Sequence, residues 1–95
     1  MTTGAHQILL YDYVEDVLER RAPHREAHLA HIAHFVGSGR MLAAGPIGDP
    51  PTGAVLVFPG GDPADAERFA EGDPYVAAGL VTGWRVVPWT VVASA

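Results

Sequence analysis

The chain has 95 residues, 48% of them hydrophobic and 18% charged, which is typical of one soluble globular domain spanning 1–95. Its net charge is −5, and its six basic residues are arginines that form no basic cluster, so we expect neither nucleic acid nor a membrane as a partner. The absence of cysteine excludes disulfides and thiolate catalysis, and with no signal-peptide or membrane-span pattern we expect a cytoplasmic protein.

The first half of the chain predicts a strand, a helical region and a second apolar segment. Residues 6–14 are rich in β-branched, aromatic and aliphatic side chains, which favour a strand. A helical pattern follows, but Pro23 disfavours helix in the residue before it. We therefore predict a short turn near 15–21 and a main helix over 23–36. Residues 40–48 are a short apolar stretch that enters a Gly-Pro turn.

The second half begins with a central strand and continues into a helix with clear boundaries. The nearly continuous apolar run at 54–59 is typical of a strand covered on at least one face. Asp62 is the predicted N-cap of a helix, with Pro63 at its first position and Gly72 at its end. Residues 73–79 repeat the Asp-Pro start and predict another helical turn.

The element order predicts an α+β protein with a ferredoxin-like βαββαβ sandwich. Residues 80–92 form the last strand, in which Pro88 indicates an edge position or a bulge. Four antiparallel strands would carry the helices on one face, leaving the other face uncovered. An apolar uncovered face favours dimerisation, and Val55, Val57 and Val86 are candidates for it.

The main helix combines an apolar stripe with a misplaced charge. In projection at 100° per residue, Leu29, Ile32 and Val36 fall together and predict the side that faces the core. Arg25 points near the centre of the same side. A guanidinium there must find a carboxylate, a cavity or an anionic ligand, unless it reaches out past the helix end.

Four of the five histidines lie in the segment HREAHLAHIAH of this helix. His34 falls on the solvent side, whereas His24, His28 and His31 share one stripe. Three histidines over two turns span roughly 10 Å, too far for one zinc ion, so only a two-histidine site at His24 and His28 stays open. His28, at the border of the buried side, is either an ordinary hydrogen-bonded residue or a general acid or base oriented by a carboxylate.

Two further segments offer candidate site residues. Asp73 is first of all a helix N-cap, but a capping carboxylate can also face a neighbouring side chain, and Tyr75 adds a phenol two residues later. Gly45 and Pro46 lie in a turn whose backbone can approach a ligand closely, unless it is only a tight turn.

Three segments in the same order resemble the YciI-like (YCII-related) family. They are REAHLA at 25–30, LAAGP at 42–46 and DPYVAAG at 73–79, and the resemblance covers nearly the whole chain. It implies a ferredoxin-like fold that dimerises through the sheets, as in dimeric α+β barrels. It also implies an active site built on His28 and Asp73, with Arg25 facing the cleft.

Three functions compete on these residues. The first is a small cofactor-independent enzyme in which His28 and Asp73 perform acid/base chemistry (elimination, isomerisation or hydrolysis) on a small polar or aromatic substrate. Arg25, Gly45, Pro46 and Tyr75 would then bind the substrate. The second is a non-catalytic ligand-binding or structural homodimer in which the same pair is a buried polar tie. The third is metal-dependent chemistry through the helix histidines, although the favoured prediction contains no metal.

Overall fold

A four-stranded antiparallel sheet with strand order β2-β3-β1-β4 carries all the helices on one face. The computed structural model describes residues 3–95; the first two residues of the predicted domain lie outside the described residues. The strands are β1 (Gly4–Tyr13), β2 (Ala43–Ile47), β3 (Gly53–Pro59) and β4 (Val81–Val91). The helices are α1 (Val17–Arg20), α2 (Arg25–Gly37), α3 (Ala64–Gly72) and α4 (Pro74–Ala77), with a 3₁₀ turn at Ala22–His24.

This architecture confirms the predicted ferredoxin-like α+β sandwich. Strands β1 and β3 occupy the centre, and the predicted edge position of Pro88 is confirmed because β4 is an edge strand. Helices α2 and α3 supply Phe35 and Phe69 to the core, where they meet Leu9 and Leu56 of the central strands. Within residues 3–95, none of the helices is long and apolar enough to cross a membrane.

The helical segment around Pro23 is not continuous, because proline disrupts a regular helix. The chain makes the short helix α1 and then the 3₁₀ turn that contains Pro23, and only then begins α2 at Arg25. Proline has no N–H to donate, so a 3₁₀ turn at the entrance to a helix accommodates it. The predicted helix therefore begins two residues late but otherwise holds its position.

The prediction of a Gly-Pro turn was wrong. Gly45 and Pro46 lie inside β2, opposite Val55 and Ala54 of β3, and the turn follows later, closed by a hydrogen bond from the Thr52 N–H to the Ile47 carbonyl. Strand β2 is the other edge of the sheet, where a residue without an N–H is tolerated on the unpaired side. The strand is exposed along its whole length.

The prediction for the buried side of α2 was also wrong. Leu29 and Val36 are 47% and 46% exposed, whereas His28 and Phe35 are the buried residues of this helix. Ile32 is half-buried and packs against the core. The helix is thus rotated so that its histidine and phenylalanine side, rather than its aliphatic stripe, meets α3 and the sheet.

The two Asp-Pro segments cap helices as predicted. The Asp62 carboxylate accepts a hydrogen bond of 2.9 Å from the Ala64 N–H at the start of α3, although the helix itself begins just after Pro63. The Asp73 carboxylate accepts one of 3.0 Å from the Tyr75 N–H at the start of α4. Both carboxylates satisfy an N–H group that a helix start leaves unpaired.

The face of the sheet opposite the helices, here called the open face, is apolar at its centre. Residues alternate between the two faces along each strand, so Ile8 lies on this face with its register partners Val57 and Val87. Val55, on the same side of β3 as Val57, is half-buried. Val86 was wrongly predicted here, because it pairs with Leu9 and packs against the core on the helix side.

His31 connects α2 to α3. Its Nε2–H donates a hydrogen bond of 2.9 Å to the Phe69 carbonyl, and its ring lies 4.5 Å from the Phe69 ring and 5.0 Å from that of Phe35. A Cβ added at Gly72 would lie 3.0 Å from the His31 ring, so glycine lets the two helices approach. His31 therefore has a structural role, and it does not line the cavity described below.

We expect His31→Ala to lower the free energy of unfolding by about 1–3 kcal/mol, because both the hydrogen bond and the ring contacts are lost. His34→Ala, an exposed position on the same helix, is the matched control and should cost less than about 0.5 kcal/mol. Urea denaturation of both variants measures the difference. Equal costs for the two substitutions would refute this role of His31.

Candidate active site

A fully buried carboxylate organises the site. Asp73, between α3 and α4, is 0% exposed and accepts three hydrogen bonds. At Oδ1 the donors are the Tyr75 N–H at 3.0 Å and His28 Nδ1 at 2.7 Å, and at Oδ2 the donor is the Tyr11 hydroxyl at 2.8 Å. The carboxylate is therefore satisfied by one group from each of α4, α2 and β1.

The bond to Asp73 determines which nitrogen of His28 is free. A carboxylate accepts hydrogen bonds, so Nδ1 carries the proton that lies between the two residues. Nε2 of His28 has no hydrogen-bond partner within residues 3–95. Every fully buried side-chain nitrogen or oxygen in that range does have a partner, so Nε2 is accessible even though His28 as a whole is only 6% exposed. His28 also lines a cavity. In the neutral imidazole, Nε2 thus presents a lone pair to that space.

Tyr75 fixes the plane of the imidazole. The two rings are parallel within 5°, with centroids 3.6 Å apart, and Tyr75 is 1% exposed. The Tyr75 hydroxyl accepts a hydrogen bond of 3.2 Å from Nη1 of Arg25. The imidazole is held at its edge by Asp73 and over its face by Tyr75.

The cavity lies between α2 and strands β1, β2 and β3 and has a volume of about 250 Å³. Arg21 before α2, together with Arg25 and His28 in its first part, makes that end of the cavity polar, and aliphatic side chains of α2 and β3 line the rest. The full lining is Tyr11, Tyr13, Arg21, Arg25, His28, Leu29, Ile32, Ala44, Gly45, Pro46, Ala54, Leu56 and Tyr75. Asp73 is absent from the lining and acts on the cavity only through other residues.

Two tyrosines of β1 face the cavity and stay protonated over a wide pH range. Burial, reinforced by the charge of Asp73, raises the pKa of Tyr11 far above its usual range, so its hydroxyl remains a hydrogen-bond donor to that carboxylate. Burial raises the pKa of Tyr13 to about 12, against the opposing effect of Arg21 and Arg25. At neutral pH both phenols are therefore neutral hydrogen-bonding groups.

The structure brings together every residue for which a site role was predicted. His28, Arg25, Gly45, Pro46 and Tyr75 line one cavity, and Asp73 lies behind His28. The misplaced charge predicted at Arg25 is resolved by this cavity and by the Tyr75 hydroxyl. Leu29 and Ile32, whose stripe was predicted to face the core, instead form part of the cavity wall.

Sequence reasoning missed Arg21 and the contact between Tyr11 and Asp73. Arg21 precedes the main helix, so no helical projection includes it. Tyr11 lies 62 positions from Asp73, and the packing of the α3–α4 junction on β1 brings them together. The alternation of β1, which puts Tyr11 and Tyr13 on one face, was the available signal.

His24 lies at the start of α2 and is not part of the lining. Within residues 3–95, no three His, Asp or Glu side chains are grouped so that they could hold a metal ion. A metal held by His24 and His28 would need further ligands, and the described residues do not supply such a group.

Comparison with known proteins identifies the family. The model of the YCII-related domain matches residues 6–90. The chain belongs to the YCII-related family. A relative within it, protein YciI of Escherichia coli O6:H1 (strain CFT073), is 36% identical over 86 residues, which cover 81% of this chain and 88% of that protein. The predicted family is therefore confirmed.

Solved structures with the same fold have diverse activities. A 5-chloro-2-hydroxyhydroquinone dehydrochlorinase from Burkholderia phenoliruptrix is 22% identical with a TM-score of 0.72, over 90% of this chain and 93% of that one. The heme degrader MhuD from Mycobacterium tuberculosis is 19% identical with a TM-score of 0.51, over 96% and 98%. At these identities the likeness shows the fold.

Proposed function

We propose that this YCII-related protein is a small cofactor-independent enzyme in which His28 and Asp73 perform acid/base chemistry on a small polar or aromatic substrate. The observation that carries the proposal is the accessible Nε2 of His28, in a cavity, on an imidazole whose Nδ1 is held by a buried carboxylate. This is the geometry in which a carboxylate orients a histidine for proton transfer.

Each of the site residues would have a separate role in the reaction. Nε2 of His28 would accept a proton from a substrate O–H or C–H and later return it, while Asp73 stabilises the positive charge that the ring acquires. Arg25 would bind an anionic substrate oxygen with the guanidinium N–H groups that Tyr75 does not use. The exposed backbone of Gly45 and the ring of Pro46 would form the outer wall of the substrate site.

Elimination suits this site because it needs no oxidant. The dehydrochlorinase of the same fold was solved in complex with 2,5-dihydroxybenzoquinone, a single ring with oxygen substituents. Loss of HCl from a chlorinated trihydroxybenzene gives a hydroxyquinone in two proton movements. One hydroxyl proton moves to the ring carbon that bears chlorine, and a base then takes a second hydroxyl proton as chloride leaves with the electron pair of the C–Cl bond. His28 is the base that the cavity offers for such a step.

A second candidate function is supported by the complete satisfaction of Asp73. A carboxylate that is 0% exposed and accepts three hydrogen bonds also serves as a polar tie between α2, α4 and β1. In that case the protein binds a ligand in the cavity without converting it. Turnover by the wild-type protein distinguishes the two.

We expect His28→Gln to lower the rate of chloride release from 5-chloro-2-hydroxyhydroquinone by about 10²–10⁴-fold, because glutamine can still donate to Asp73 but cannot take up a proton. His24→Gln, in the same segment but outside the cavity, is the control and should retain the wild-type rate. Chloride release is followed directly, with the unfolding curve of each variant as a check on folding.

Retention of the wild-type rate in His28→Gln would contradict the proposal. If the wild-type protein binds the chlorinated phenol and releases no chloride, and converts no other phenol or carboxylate that binds, the binding function is favoured instead.

We also propose that the chain forms a homodimer through the open face. Trp89, at 40% exposure, lies on this face opposite His6, and the half-buried Ile8 and Leu10 continue the apolar surface. Large side chains of this kind, left uncovered on a sheet, gain from burial against a second copy. Helices cover only the other face of the sheet in the part of the chain that the structure describes.

Sedimentation equilibrium at micromolar concentration should show a dimer that Leu10→Glu dissociates, because the carboxylate would be buried unpaired in the interface. Leu18→Glu is the matched control: Leu18 is 47% exposed on α1, on the helix side, and its substitution should leave the dimer intact. A monomeric wild-type protein, or a Leu10→Glu variant that stays dimeric, would refute this interface.

A further inference from the structure

Arg21 is held in place beside the candidate active site by its own backbone. It ends α1, where its N–H donates a hydrogen bond of 2.9 Å to the Val17 carbonyl, and its carbonyl accepts one of 2.9 Å from the His24 N–H. Val17 is 1% exposed and packs in a buried cluster with Tyr75. The half-buried Arg21 side chain therefore starts from a fixed position and lines the same cavity as Arg25.

Neither arginine has a carboxylate partner among residues 3–95. The ion pairs that arginines make there, Arg20 with Asp16 and Arg68 with Asp65, are on the exposed surface. The chain has eleven acidic residues and six basic ones, so acidic partners are plentiful, yet none of them lines this cavity. The one carboxylate close by, Asp73, is already occupied by three donors.

Two guanidinium groups on one small cavity make its polar end attractive to anions. Arg21 and Arg25 both line this cavity, together with Tyr13. Arg25 donates one N–H to the Tyr75 hydroxyl. The Arg21 side chain makes no hydrogen bond to residues 3–95. Guanidinium N–H groups that lack a protein acceptor bind carboxylate or phenolate oxygens in paired, charge-assisted hydrogen bonds.

The rest of the cavity limits the ligand to a single ring. A cavity of about 150 Å³ lined by aliphatic and aromatic side chains accommodates benzene, so about 250 Å³ holds one ring with substituents. Leu29, Ile32 and Leu56 supply an aliphatic wall for the ring. The cavity thus combines a surface for one ring with two separate positive groups at its polar end.

We propose that Arg21 is a specificity-determining residue that selects single-ring ligands with a second anionic oxygen group, while Arg25 binds the first. The inference rests on the proposed function for its site and deepens it by naming the substrate class: monocyclic aromatic compounds with two acidic oxygen groups. Arg21 raises the affinity for ligands with the second group far more than for singly charged ligands.

Benzoate and isophthalate, which differ by one carboxylate, test this by isothermal titration calorimetry. We expect the wild-type protein to bind isophthalate about tenfold more tightly than benzoate, as one charge-assisted contact near solvent provides. Arg21→Gln should abolish this preference by weakening isophthalate far more than benzoate, and Arg25→Gln should weaken both ligands. Arg20→Gln removes the adjacent, surface-paired arginine and should change neither.

Several results would overturn the proposal: no preference for isophthalate in the wild-type protein, no binding of either ligand, a preference that survives Arg21→Gln, or an equal loss in Arg20→Gln. Neither probe has a leaving group, so their binding does not depend on proton transfer by His28. Failure of this selectivity would therefore leave the acid/base proposal intact, and an inactive His28 would leave the selectivity measurable.

Discussion

The burial of the Asp73 carboxylate is the constraint on which the site depends. Removing a carboxylate from water costs several kcal/mol, and the fold offsets this with three donors from three different elements. These hydrogen bonds fix the position of each donor. Tyr75 is held in the first turn of α4, Tyr11 on the helix side of β1, and His28 with its Nε2 toward the cavity. The same hydrogen bonds that make the carboxylate tolerable therefore orient the one imidazole that the cavity can use.

Sequence patterns predicted the fold well because turn and strand chemistry is local. The caps at Asp62 and Asp73 and the edge proline at position 88 each follow from one residue's backbone requirements. The buried side of α2 was predicted wrongly, because a stripe of aliphatic residues can line a cavity wall as well as pack in a core. Leu29 lines the cavity, whereas the buried His28 and the half-buried His31 are held by hydrogen bonds that a hydropathy pattern does not reveal.

Some of the site residues could be predicted from the sequence and others could not, for a related reason. Resemblance to the YCII-related family pointed to His28 and Asp73, and the helix projection showed that Arg25 needed a partner. The alternation of β1 puts Tyr11 on the same face as Tyr13, but it does not predict the hydrogen bond to Asp73, because that contact depends on how the α3–α4 junction packs on the sheet. Arg21 was equally hidden, because its position relative to α2 depends on how the 3₁₀ turn around Pro23 is oriented.

The protonation state of His28 tests the central claim most directly. Long-range ¹H–¹⁵N correlation spectra of the neutral imidazoles, with His28 assigned by comparison with His28→Gln, distinguish the two tautomers. We expect Nδ1–H for His28, while His31, which donates from Nε2 to a carbonyl, provides an internal control of the opposite tautomer. A His28 that carries its proton on Nε2, beside a His31 with the expected tautomer, would contradict the account.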